Sequence, residues 1–426
     1  MKFSYLRVFV LGIGYFGISA AWATYNAFLP IFLANRFGLG AATIGGFMAL
    51  DNIAALLIQP PVGSWSDRLQ TPIGRRAPFI LVGAPLAAAV LGVIPIATAF
   101  PLFVACAVAF LLSMAFWRSP FFTLLPDVTP SQYRSQANGV INSIGVLGAL
   151  LAFLGGSQLY RLDPAYPFWL SSGLLLISAV LILVFLREEK TSTQPSAPRA
   201  GILESLREAW MDPDKSALLI LLAILLIFIS NNALDAFITL YTVNYLGLTA
   251  GDGARLMGQL TVAFVLFAIP AGIIGGHVGR RWSISVGIAI MALCGMLQYL
   301  LPASSLTYRI TEVPVLGVVP LIGLTMMLSG VGWALIHTNS LPMVIDMTTA
   351  NKAGTYIGLY YLASTAGAIL GPVLTGWVIQ LNGMDYGLTM LVGPFFLLLA
   401  LVTMMGVRRG EAILQMRPSH QDSIGT

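Results

Sequence analysis

Three charged side chains stand inside long apolar runs: Asp51, Arg118 and Asp235. At bilayer depth a charge costs roughly 2.5–3.5 kcal/mol, so each needs a partner or a water-filled cavity. Carboxylates so placed can take up and release a proton or a small cation, and a guanidinium can hold one of them in an ion pair. Asp51 precedes Asp67 by 16 residues, about 24 Å along a helix. Arg118 precedes Asp127 by nine, about 13 Å. The two are expected to meet as an ion pair, either for ion coupling or as a structural lock. Asp235 has Asn231 one turn earlier and Asn232 on an adjoining face, which makes a polar stripe. Trp22, Tyr25 and Asn26 share a face at i, i+3 and i+4, and Asn26 is expected to face Asp235. An aromatic ring beside amides and a carboxylate suits a polyhydroxylated ligand, through stacking and hydrogen bonds. Plain polar contact between helices is the alternative. His337 follows Trp333 by one turn and can relay protons or simply pack. Asn142 and Tyr361 add polar groups on other apolar runs. The expected ligand set is Trp22, Tyr25, Asn26, Asn142, Asn231, Asn232, Asp235 and Tyr361. The expected coupling set is Asp51, Arg118, Asp235 and His337.

The elements that must position these groups are apolar helices. Of 426 residues, 57% are hydrophobic and 9% charged, against about 25% charged in soluble domains. Segments long enough to cross a bilayer fall near 8–33, 41–65, 77–99, 101–124, 137–159, 166–186, 216–246, 254–276, 282–302, 314–338, 354–380 and 387–407. The run after Lys2 and Arg7 is too long for a signal-peptide core and reads as the first span. Spans three and four meet at a tight Ala99-Phe100-Pro101 turn. Loop Lys and Arg residues number 17 on the side of the termini and 4 on the other, so both termini are expected to be cytoplasmic. The net charge of +5 therefore reflects membrane topology and not a nucleic-acid surface. Three His and two distant Cys make no converging nucleophile or metal constellation. An enzyme, a catalytic residue, a metal and a cofactor are accordingly not expected.

The chain divides into residues 1–187, a linker at 188–215, residues 216–410 and a tail at 411–426. In the linker, Ile202, Leu206, Ala209 and Trp210 follow an amphipathic pattern suited to a membrane surface, the alternative being a simple tether. The two long parts repeat. Phe28, Asn35, Gly38, Leu39, Pro61 and Gly63 match Phe237, Asn244, Gly247, Leu248, Pro270 and Gly272 at a constant offset of 209. Leu112-Ser113, Trp117 and Leu125-Pro126 match Leu328-Ser329, Trp333 and Leu341-Pro342 at an offset of 216. The fold expected is an all-α membrane protein with two pseudo-symmetric six-helix bundles that rock against each other.

The most specific local signal is the loop Gly63-Ser-Trp-Ser-Asp67-Arg68 followed by Gly74-Arg75-Arg76, answered in the second half by Gly272-Ile-Ile-Gly-Gly276 and Gly279-Arg280-Arg281. Gly63 permits close helix approach. Asp67 is expected to gate, by capping or by charge pairing across the seam between the halves, the alternative being that the loop is only a positive-inside anchor. The arginines anchor the loop at an anionic surface, and for Arg280 and Arg281 that anchoring is the whole role expected. The loop resembles the signature of the major facilitator superfamily. With Asp51-Asn52, Gln59-Pro60, Pro78-Phe79-Ile80, Arg118-Ser-Pro120, Leu125-Pro126-Asp127, Arg134-Ser135 and Ala137-Asn138, it resembles the sucrose–proton symporter branch, related to glycoside–pentoside–hexuronide cation symporters. The resemblance implies sugar uptake by alternating access, with Gly63, Asp67, Arg68, Gly74, Arg75, Arg76, Asp127 and Arg134 in gating. Melibiose-type relatives carry an acidic pair on span two for sodium; Ala55 and Gln59 stand at the matching positions, so a proton is the expected ion. The alternatives are a proton-driven exporter of drugs or other metabolites on the same fold and a non-coupled facilitator. The expected partners are a small solute, a proton and the lipid of a prokaryotic inner membrane, with a monomer sufficient.

Overall fold

The computed structural model describes residues 4–130, 133–186, 211, 214–348 and 352–410. The proposed amphipathic stretch of the linker lies outside them. Among the described residues, twelve helices are long and apolar enough to cross a membrane. Spans one to six are Tyr5–Arg36, Ala41–Arg68, Ala77–Ile96, Phe100–Asp127, Gln136–Leu162 and Tyr166–Phe185. Spans seven to twelve are Ser216–Asn244, Ala250–Val278, Arg280–Leu300, Leu321–Ile345, Ala353–Leu381 and Tyr386–Met405. The fold is thus an integral, multi-pass helical membrane protein.

The repeat is visible in the backbone. Spans one and seven are both followed by a left-handed glycine, Gly38 at φ 65° and Gly247 at φ 69°, a conformation that glycine adopts without a Cβ clash. The loops after spans two and eight each turn on a positive-φ glycine, Gly74 at 115° and Gly279 at 107°. Span one packs on span five, with Gly148 against the Phe16 carbonyl, and span seven packs on span eleven, with Gly371 against the Ile229 carbonyl. Small residues let these backbones meet. The second half is clasped at its ends: Arg408 N–H donates to Ser216 Oγ at 2.9 Å, and Arg409 pairs with Asp214 at 2.6 Å.

One expected boundary is corrected. Span ten does not start near residue 314. Arg309–Val313 (β1) and Gly317–Pro320 (β2) form an antiparallel hairpin, and the helix runs from Leu321 to Ile345. Pro314 and Pro320 bracket a Val-rich run, Val315, Val318 and Val319, that favours extended backbone. Hydropathy alone reads that run as helix.

The halves meet at the face remote from Tyr5 and Arg409, where span five packs on span eight and span two on span eleven. Contact there is backbone to backbone. A Cβ on Gly251 would lie 2.6 Å from the Ser157 carbonyl oxygen, one on Gly45 2.1 Å from that of Pro372, and one on Gly376 2.4 Å from that of Ala41. Arg161 pairs with Asp252 at 2.8 Å, and Gln380 Oε1 accepts from Ala42 N at 2.9 Å. Traced towards the face carrying Tyr5 and Arg409, the same helix faces separate. On span five Leu154 and Ser157 touch span eight, whereas Val140, Asn142 and Leu147 on that face are exposed. On span eight Gly251 and Gly258 touch span five, whereas Val265, Ile269 and Ile273 on that face are exposed. The molecule holds a cleft between its halves, shut at one face.

Candidate functional site

Span two is interrupted at Ala49, so Asp51 stands in the first turn of its second helical piece, Leu50–Arg68. Its Oδ1 accepts from Asn52 N and Asn52 Nδ2, both at 2.6 Å. Amide donors at a helix start offset part of the cost of a half-buried carboxylate. Asp51 lies within electrostatic reach of Arg118, Tyr25 and Asp235. Two carboxylates from opposite halves therefore sense each other across the seam.

The expected Asp51–Arg118 ion pair is not formed. The Arg118 guanidinium lies 5.9 Å from the Trp22 ring and 5.5 Å from the Phe122 ring, a cation–π setting. Among the described residues it makes no ion pair. Asn26 does not reach Asp235 either; Asp235 Oδ2 accepts from Asn231 Nδ2 on its own helix at 3.1 Å. Asn232 donates to the Phe228 carbonyl at 2.9 Å. Tyr25 is fully buried, stacked on Phe110 at 5.2 Å, so it belongs to the core of the first half and not to an open binding surface. Trp22 is half-buried beside it. The Trp22 Nε1 and Tyr25 Oη atoms are buried without hydrogen-bond partners. Asn142 donates to the Asn138 carbonyl, and Tyr361 is 56% exposed. On span eleven, Tyr361 shares the face of Pro372 and Gly376, so it lines the cleft below their contact with span two. His337 sits between the Trp333 and Phe264 rings and is not joined to either carboxylate. The structure thus brings Asp51, Asp235, Tyr25, Trp22 and Arg118 together and leaves His337 apart.

The gating residues form a charge cluster within the first half. Arg76, 4% exposed, pairs with Asp127 at 2.5 Å and Asp67 at 3.0 Å and donates to Ser66 and Thr123. Arg75 pairs with Asp127 at 2.7 Å. Asp67 therefore pairs inside its own half and not across the seam: the Gly74 turn brings Arg76 back beneath span two. Gly63 lies against Ser119 of span four. Arg134 donates to the Pro126 and Thr129 carbonyls at the end of span four, while Arg68 is exposed. The second half repeats the cluster without the loop acid. Arg280 pairs with Asp346, and Arg281 donates to the Met404 and Met405 carbonyls. These arginines are bound by protein groups, which corrects the reading of them as surface anchors alone. Asp346 lies three residues past the position that aligns with Asp127, so the repeat does not point to it. The Arg161–Asp252–Arg255 cluster at the shut face is not among the sequence expectations, although Thr249-x-x-Asp252 spells a capping box in the sequence.

A family model described as Major Facilitator Superfamily matches residues 11–307 and again 256–419. An uncharacterized MFS-type transporter of Mycobacterium tuberculosis is 26% identical over 409 residues, covering 92% of this chain and 91% of that one. Shorter matches are the sucrose transport protein SUC3 of Arabidopsis thaliana, 26% identical over 33% of this chain and 27% of its own length, and the alpha-ketoglutarate permease of Escherichia coli, 30% identical over 36% and 34%. Among solved structures, an inward-facing, occupied bacterial homolog of the human lysosomal transporter Spinster superposes with TM-score 0.71 at 15% identity, covering 93% of this chain and 95% of that one. Two six-span repeats, a cleft shut at one face and glycine–arginine turns at the other agree with those matches: the chain is a transporter of small solutes and belongs to the Major Facilitator Superfamily.

Proposed function

We propose that the protein carries a sugar or glycoside across the membrane by alternating access, driven by proton entry, with Asp51 and Asp235 as the proton-carrying groups. The observation that supports this reading is that these two carboxylates, one from each half, lie within electrostatic reach of each other. Like charges in a low-dielectric setting repel even at some distance, and a proton on one of them removes the repulsion. Rocking of the halves changes their separation, so proton binding and conformation are linked. The half-buried Trp22 ring offers a stacking surface, and Asn231 and Tyr361 on the opposite half offer hydrogen-bonding groups, to a hydroxylated ligand. With the Tyr5 and Arg409 face cytoplasmic, as the loop charges indicate, the state described is inward-facing.

Counterflow of labelled sugars in proteoliposomes, with and without a pH gradient, tests the proposal. Wild type should accumulate a sugar only under an inward proton gradient. Asp235→Asn should retain counterflow and lose accumulation. Undiminished accumulation by both Asp235→Asn and Asp51→Asn would sink the coupling assignment. A second reading, export of apolar compounds, is favoured by the exposed aliphatic row Val265, Ile269 and Ile273; it predicts proton-dependent efflux of a lipophilic dye and no sugar counterflow.

A further inference from the structure

At the shut face a cavity of about 230 Å³ lies over the seam between spans five and eight, under the β1–β2 hairpin. Three guanidinium groups line it: Arg161 from the first half, Arg255 from span eight and Arg309 from β1. Their acidic neighbours are fewer. Asp252 serves both Arg161, at 2.8 Å, and Arg255, at 3.1 Å, through the same oxygen, Oδ1. Its Oδ2 is occupied by Thr249 N and Oγ1 in the capping box. Glu312 approaches Arg309 at 3.7 Å, where both are largely exposed, and acts on Arg255 only at a distance. Three positive groups against two negative ones leave a local excess of one positive charge.

Arg255 is the decisive member. It is only 8% exposed, and a guanidinium carries five N–H donors. Its hydrogen bonding among the described residues consists of a single contact, to Asp252. A cation this buried, with most of its donors unmet and a cavity beside it, is arranged to receive acceptor oxygens. The rest of the wall is apolar, with Leu256, Val318 and Pro320 next to the charged end.

We infer that this cavity is an anion-binding site for a small organic carboxylate, whose head is held by Arg255 with Arg161 and Arg309, and whose apolar body rests on Leu256, Val318 and Pro320. Because Arg161 belongs to one half and Arg255 and Arg309 to the other, the site is complete only while this face is shut. Its ligand therefore stabilises that state. The inference stands independently of the solute carried through the central cleft.

The full-length protein in detergent, titrated with benzoate at constant ionic strength, tests it by thermal shift. Benzoate should raise the melting temperature saturably, and sodium chloride at equal ionic strength should not. Loss of charge-assisted hydrogen bonds in Arg255→Gln should weaken the benzoate Kd by about tenfold or more. Asp252→Asn provides the opposite arm: it keeps an oxygen for the Thr249 cap, frees both arginines, and should tighten benzoate binding. Inorganic phosphate should bind more weakly than benzoate, having no body for the apolar wall. No saturable shift, unchanged affinity in Arg255→Gln, weaker binding in Asp252→Asn, or phosphate binding as tightly as benzoate would each overturn the inference.

Discussion

Arg76 shows how strongly one residue can bind its surroundings. It is nearly buried, and it pairs with both Asp127 and Asp67. In Arg76→Gln, Asp127 retains Arg75, but Asp67 is left without its cation. Removing a partner from a fully buried pair costs about 3–5 kcal/mol. Asp127 and Asp67 are partly exposed, so roughly 2–3 kcal/mol is expected here, visible as a lower melting temperature in detergent. Arg280→Gln, whose partner Asp346 is 42% exposed, should lower it much less. At this scale the sequence named the right charges and often the wrong partners. Apolar surroundings pick out Asp51, Arg118 and Asp235 at once. Spacing along a helix gives depth, though, and not the direction a side chain takes between helices. Arg118 accordingly lies over Trp22 and Phe122 instead of on Asp51, and Tyr25 turns into the core.

At the scale of elements, the seam rests on glycines that admit no side chain. Gly251→Leu would drive carbons into the Ser157 backbone, and Gly45→Val into that of Pro372. Neither obstacle is the flexible end of a side chain, so the helices must part. Both variants should shift the equilibrium towards opening at this face, measured as a longer distance between spin labels on spans five and eight. A substitution at Gly46, with open space around it, should leave that distance unchanged. The helical elements were legible because their apolar runs are long and their ends carry Gly38, Gly74, Gly247 and Gly279. The hairpin before span ten was not. Val318 and Val319 are as apolar as any helix residue, and the strand shows itself only through the flanking prolines and the pairing of Val313 with Gly317.

For the whole molecule, alternation requires that the contacts at the two faces exclude each other. Ala42→Cys with Gln380→Cys places a pair at the shut seam, where those residues touch. Cys106 and Cys294 are buried and should not interfere. Cross-linking of this pair should be fast and should stop transport. Val140→Cys with Ile269→Cys joins two faces that stand apart in this state, and should cross-link only as the molecule cycles. Equal cross-linking of both pairs at rest would contradict a single cleft shut at one face. Repeat and topology were readable from matched residues, but the state of the cleft was not. It depends on a balance between two packings of the same helix faces, and both packings satisfy the same hydrophobic pattern.

The clasp between Asp214–Ser216 and Arg408–Arg409 makes the second bundle a closed loop in space. Chain order within that bundle is then separable from its architecture. Joining residue 410 to residue 214 through a short link and opening the chain in the turn at Gly383, whose surroundings are free, would give a circular permutant with every helix in place. Insertion into the membrane reads the order of spans, while packing reads only their faces. Such a permutant would separate those two demands on one sequence.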